Sequence, residues 1–119
     1  MNMKLFDSEL NVMEILWREG DTTAKRIAEI TKEKVGWSKT TTYTVIKKCL
    51  DKGAIERQEP NFVCRARVTR EQVQQYETSE LINKMYDGAP DRLIASLLGQ
   101  RRLTSEEISR LKQLIEGME

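Results

Sequence analysis

Apolar residues recur at helical spacing through the first fifty residues, alternate briefly, and then return to helical spacing. Leu10, Val12, Met13, Ile15, Leu16 and Trp17 form a wide stripe, with Asp7 and Ser8 as N-cap candidates and Glu9 in the first turn. Gly20 follows as the residue free to take positive φ past the helix end. A second helix is predicted after Thr23 as cap, with a narrower face of Ala24, Ile27, Ala28 and Ile30. Val35-Gly36-Trp37 interrupts it, and Ser38 caps a third helix that runs to Leu50 or Lys52 before Gly53. Thr42, Val45, Ile46, Cys49 and Leu50 fall on one side of that helix. Lys39, Thr40, Thr41, Tyr43, Thr44, Lys47 and Lys48 lie largely elsewhere.

The period then changes. Ala54 to Gln58 is short, Glu59-Pro60-Asn61 reads as a turn, and Phe62 to Val68 alternates as a strand should. Phe62, Cys64 and Ala66 are expected to face one way, with Val63, Arg65 and Arg67 the other. Thr69-Arg70-Glu71-Gln72 is a capping box opening a fourth helix, whose stripe is Val73, Tyr76, Leu81, Ile82, Met85 and Tyr86. Arg92 to Gly99 carries Leu93, Ile94, Leu97 and Leu98. A second capping box, Thr104-Ser105-Glu106-Glu107, opens a final helix with Ile108, Leu111, Leu114, Ile115 and Met118. The order is three helices, a β-hairpin and three more helices. It predicts a mostly α chain with a small hairpin: a winged helix-turn-helix over residues 1–69, then a helical region over 70–119.

Composition narrows the function. The 119 residues suit one domain, or one domain with an appended helical segment. The N-terminal MNMKLFDSEL has no apolar run, and no stretch approaches a membrane span, so a cytoplasmic protein without membrane insertion is expected. Two cysteines, Cys49 and Cys64, and no histidine argue against a disulfide framework and a four-ligand zinc site. They also remove the commonest general base, and the sequence calls for no cofactor. Residues 1–70 hold 14 Lys/Arg against 10 Asp/Glu, whereas residues 71–119 hold 6 against 9. A basic front half beside an acidic rear half fits a polyanion-binding head on a protein-interaction module, with chance scatter as the alternative.

The third helix carries the candidate chemistry. Four threonines and a serine in the seven positions Ser38 to Thr44 are poor for helix propensity, since threonine is β-branched. Their hydroxyls suit phosphates and base edges, and their methyls suit thymine, while the positive end of the helix favours phosphate. Ser38, Lys39, Thr40, Thr41, Tyr43, Thr44 and Lys47 are the candidate contacts to a double-stranded DNA operator. The hairpin has Arg57, and adds Arg65 and Arg67 as wing contacts to the backbone. The competing readings are a solvated threonine-rich helix and a strand edge kept soluble by arginine. The rear helices are too narrow-faced to enclose a core alone. Val73, Tyr76, Leu81, Ile82, Met85, Leu93, Leu97, Ile108, Leu111 and Ile115 are therefore expected to join a homodimer, or else to pack back on the head. A two-fold dimer would set two recognition helices about 34 Å apart, one turn of DNA.

These residues resemble a known family. Asp7-Ser8-Glu9 with Val12-Met13-Glu14-Ile15-Leu16-Trp17 looks like the first helix of the penicillinase and methicillin-resistance repressors. Thr23-Ala24-Lys25 with Ile27, and above all Trp37-Ser38-Lys39-Thr40-Thr41 with Tyr43-Thr44, resemble their helix-turn-helix, and Lys52-Gly53 the entry to the wing. The resemblance runs from about Lys4 to Glu116. It implies a dimeric repressor of β-lactam resistance genes or, in related branches, of copper-transport genes. In one branch a membrane-bound sensor triggers cleavage at an Asn-Phe bond, for which this chain has Ser96-Leu97. The copper branch uses a C-terminal Cys-x-Cys cluster, and no cysteine follows Cys64 here. A winged-helix adaptor that binds protein instead of DNA is the alternative function.

Overall fold

A computed structural model describes residues 3–118. The elements are α1 (Asp7–Glu19), β1 (Thr22–Thr23), α2 (Ala24–Val35), α3 (Lys39–Asp51), β2 (Ile55–Gln58), β3 (Val63–Ala66), α4 (Arg70–Met85), α5 (Pro90–Gly99) and α6 (Ser105–Gly117). The mostly α fold with a hairpin is as expected. The chain packs as two units that divide between Glu77 and Thr78, inside α4. The boundary expected at 69/70 thus moves into the helix, because Val73 is buried in the core of the first unit.

In that first unit, the head, α3 packs against both α1 and α2. Met13 and Val12 of α1, Ile27 of α2, and Ile46 and Cys49 of α3 are fully buried. Such side chains contribute about 1.5–3 kcal/mol each for the larger aliphatics. α1 ends at Gly20, whose φ of 82° is one a glycine adopts without steric cost, and whose N–H donates to Leu16 O at 2.8 Å.

The hairpin forms a three-stranded antiparallel sheet in the order β1-β3-β2. β1 was not expected. Its two residues pair Thr22 with Cys64 and Thr23 with Val63, and two residues carry no readable period. β3 begins one residue later than the alternation suggested. Phe62 stays in the turn at φ 50°, so its ring does not follow the strand's in-out order. Trp17 Nε1 donates to Val68 O at 2.9 Å, which ties the end of the hairpin to α1.

Two polar links are buried in the head. Thr31 Oγ1 and Thr42 Oγ1 lie 2.6 Å apart between α2 and α3. Ala28 O and Ser38 O, each 3.2 Å from one of the hydroxyls, leave both satisfied whichever way the protons point. The second link is Glu9, 1% exposed, whose Oε1 accepts from Phe6 N–H at 2.7 Å and from Lys52 Nζ at 2.6 Å. Phe6 is therefore the N-cap of α1, in place of Asp7 or Ser8, since a buried carboxylate three residues on serves its N–H. Lys52 also donates to Lys4 O at 2.8 Å, so this one ammonium joins the N-terminal segment to the end of α3.

In the second unit, the tail (residues 78–118), no described residue is buried. Thr104 and Glu107 form the expected capping box of α6, at 3.1 and 2.8 Å. Leu81, Met85, Ile94, Leu98, Leu114, Ile115 and Met118 are all exposed. Tyr86 donates to Ser96 Oγ at 3.3 Å, a polar link between α5 and the residue just past α4.

Thr42→Val should cost about 1–2 kcal/mol in urea unfolding, because it deletes one half of the buried hydroxyl pair while keeping the shape. Burial pushes the Cys49 thiol up from 9.0 to about 12, with Glu9 adding to the rise, and the Cys64 thiol up to about 11. The native state then holds these protons longer than the unfolded chain does. Their contribution is complete below pH 9.0 and declines as pH rises through about 11 and about 12. Urea midpoints compared across that range should fall more steeply for the parent than for a Cys49→Ala, Cys64→Ala variant; equal slopes would contradict the assignment.

Candidate nucleic-acid interface

α3 starts where a side chain substitutes for missing helical partners. The first N–H groups of a helix have no carbonyl within it. Ser38 Oγ accepts from Thr41 N–H at 3.2 Å and donates to Thr41 Oγ1 at 3.0 Å, so the expected cap is in place. Past the cap, the helix divides cleanly. Thr42, Val45, Ile46 and Cys49 are buried, whereas Ser38, Lys39, Thr40, Thr41, Thr44, Lys47 and Lys48 are exposed. Tyr43 is half-buried. Lys39, Thr40, Tyr43, Thr44 and Lys47 line one shallow, open depression on the outer face of α3.

The hydroxyls are not equivalent. Thr44 Oγ1 donates back to Thr40 O at 2.9 Å, so its proton is committed and its exposed oxygen is left to accept. Thr41 Oγ1 accepts from Ser38 and retains its own proton. Thr40 makes no side-chain bond among the described residues. One exposed side can thus accept, donate and offer methyl contact, the combination that reading base edges requires.

The cations also differ. Lys47 pairs with Asp51 at 3.2 Å, Arg67 with Glu56 at 3.8 Å, and Arg57 with Glu59. Lys39 and Arg65 have no acidic partner among the described residues. Arg65 stands opposite Glu56 in the strand register, yet that carboxylate is turned to Arg67. Of the candidate contacts, Lys39 and Arg65 can thus meet a phosphate without first breaking an ion pair. Arg65 and Arg67 are both exposed on or beside β3, outside the depression on α3.

A family model described as penicillinase repressor matches residues 5–117. The chain belongs to the penicillinase repressor family. This family member is 23% identical to the penicillinase repressor of Bacillus licheniformis, over 95% of this chain and 90% of that protein. It is 28% identical to the methicillin resistance regulatory protein MecI of Staphylococcus aureus, over 94% of this chain and 93% of that one. Its fold matches the solution structure of the DNA binding domain of the repressor BlaI, with a TM-score of 0.55 at 21% identity, covering 59% of this chain and 88% of that chain. It also matches the Bacillus licheniformis BlaI monomeric form in complex with the blaP half-operator, with a TM-score of 0.52 at 20% identity, covering 60% and 89%. The winged-helix fold follows from these likenesses.

The rear residues of this penicillinase repressor family member fall into three groups. Val73 belongs to the head core and is withdrawn from the expected dimer surface, since a buried side chain has nothing left to offer a partner. Leu81, Met85 and Ile115 are exposed, and Tyr76, Ile82, Leu93, Leu97, Ile108 and Leu111 are half-buried. The sequence-derived set omitted Ile94, Leu98, Leu114 and Met118, which the structure leaves exposed. Ser96 and Leu97 are half-buried within α5, where Ser96 Oγ accepts from Tyr86 and from Gln100. Phe62, expected on one strand face with Cys64 and Ala66, lies in the turn before β3, packs against the head core and meets the Tyr43 ring of α3 edge-to-face. No helix among the described residues is long and apolar enough to cross a membrane.

Proposed function

We propose that this chain is a transcriptional repressor that binds a palindromic double-stranded DNA operator, with the tail unit joining two copies. The carrying observation is the division of α3: a fully buried underside holds the helix down, and a hydroxyl- and lysine-rich side faces solvent. The names of the relatives, a penicillinase repressor and a methicillin resistance regulatory protein, support this reading, as does a fold shared with a protein solved on a half-operator. Lys39, Thr40, Thr41 and Thr44 make the groove contacts, with Tyr43 and Lys47 beside them. Ser38 caps the helix, and Arg65 and Arg67 lie along the backbone. The genes under control are β-lactam resistance genes, the class for which the relatives are named.

The dimer rests on the tail. Seven large apolar side chains there are exposed, and none is buried. A helical segment that leaves its apolar faces in water is stabilised by covering them, and a second copy offers the same faces in return. Cleavage between Ser96 and Leu97 by a membrane-bound sensor protease would separate α6 from α4 and break up that surface.

Duplexes selected from random-sequence DNA by the full chain give the test. Thr41→Ala or Thr44→Ala should weaken binding by about 1–3 kcal/mol while sedimentation shows the dimer intact. Lys39→Ala and Arg65→Ala should each reduce the slope of log affinity against log salt by about one unit. Unchanged affinity across all four variants would discard the assignment. Leu114→Ser with Ile115→Ser should shift sedimentation towards monomer and weaken full-operator binding more than half-site binding; a variant that remains dimeric would refute the tail interface.

A further inference from the structure

Asn61 and Phe62, at the tip of the hairpin, both have positive φ, 73° and 50°. For an aromatic residue this backbone region persists only where the surroundings hold it. Three contacts do so. Phe62 O accepts from Ala24 N–H, the first residue of α2, at 3.0 Å. The Phe62 ring meets the Tyr43 ring edge-to-face, with centroids 5.8 Å apart and planes at 86°. The Arg57 guanidinium carbon lies 3.7 Å from the centre of the same ring. Lys39 Nζ in turn is 5.7 Å from the centre of the Tyr43 ring. A ladder of cation, ring, ring and cation therefore runs from the first turn of α3 to β2.

We propose that Phe62 is a positioning residue, which locks the wing to α3 so that Lys39 and Tyr43 of α3 and Arg65 of the wing address one duplex in fixed register. The proposal rests on the DNA-binding reading above. Phe62 itself carries no charge and no hydrogen-bonding side-chain group, so its contribution is geometric. Loose electrostatic association with any duplex needs only the cations. Sequence-specific binding needs groove and backbone contacts made together, so a free wing weakens it selectively.

The test compares a duplex selected by the full chain with a scrambled duplex of equal length and composition. Phe62→Gly suits the backbone at that φ, retains every cation and removes the ring. It should lower affinity for the selected duplex about tenfold or more, while affinity for the scrambled duplex stays within about twofold. Phe62→Tyr, which keeps the ring, should recover affinity to within about threefold of the parent. Should Phe62→Gly fail to fold by circular dichroism, Phe62→Leu is measured in its place and should show the same selective loss, having bulk but no ring. A ratio of selected to scrambled affinity left unchanged in the folded variant overturns the proposal. If the parent chain itself does not prefer the selected duplex, the DNA-binding reading fails and takes this proposal with it.

Discussion

Everything the head presents to solvent depends on how α3 is held down. Thr42, Val45, Ile46 and Cys49 sit in the core against α1 and α2, so rotating the helix would expose four buried side chains. Hydrophobic burial alone has no direction and tolerates small slides. The Thr31–Thr42 hydroxyl contact at 2.6 Å adds the direction, because a hydrogen bond between two helices is met in one register and lost in the next. With the underside pinned at both levels, the orientation of Lys39, Thr40, Thr41 and Thr44 follows from the 3.6-residue period.

The ends of α3 are held by different means. Ser38 caps its start. Beyond its C-terminus, Lys52 reaches Glu9 in α1 and the backbone of Lys4. A buried carboxylate is a costly device, and here Phe6 N–H and Lys52 both converge on Oε1 of Glu9 and offset that cost in part, while its Oε2 is left without a partner. The hairpin adds a third support, since Phe62 bonds α2 through its carbonyl and meets α3 through its ring. The tail unit shows the opposite economy. Its last helix has a capping box and its helices carry amphipathic stripes, but they bury nothing of their own.

Much of this was legible before any coordinates. The three front helices, the caps at Thr23, Ser38, Thr69 and Thr104, and the outward side of α3 follow from spacing and from the few residue types that can bond a free helical N–H. What went unseen or was misread shares one cause. β1 is two residues whose pairing depends on a strand some forty positions away. Val73 lies on a stripe like those of the other rear helices, yet only the core of the head decides that it is already covered. Glu9 looks like an ordinary acidic residue in a helix's first turn, and its burial depends on Lys52 arriving from the far side of the domain.

The amino-acid order by itself settled the class of each main element, the amphipathic division of α3 and the hydroxyl-rich character of its outer side, since these arise from interactions within a few residues. Only the tertiary structure decided which cations keep acidic partners, which apolar stripes remain uncovered, and that Phe62 bridges wing and helix. Those properties belong to pairs of residues distant in the chain, and local periodicity carries no information about which distant side chain fills the space beside it.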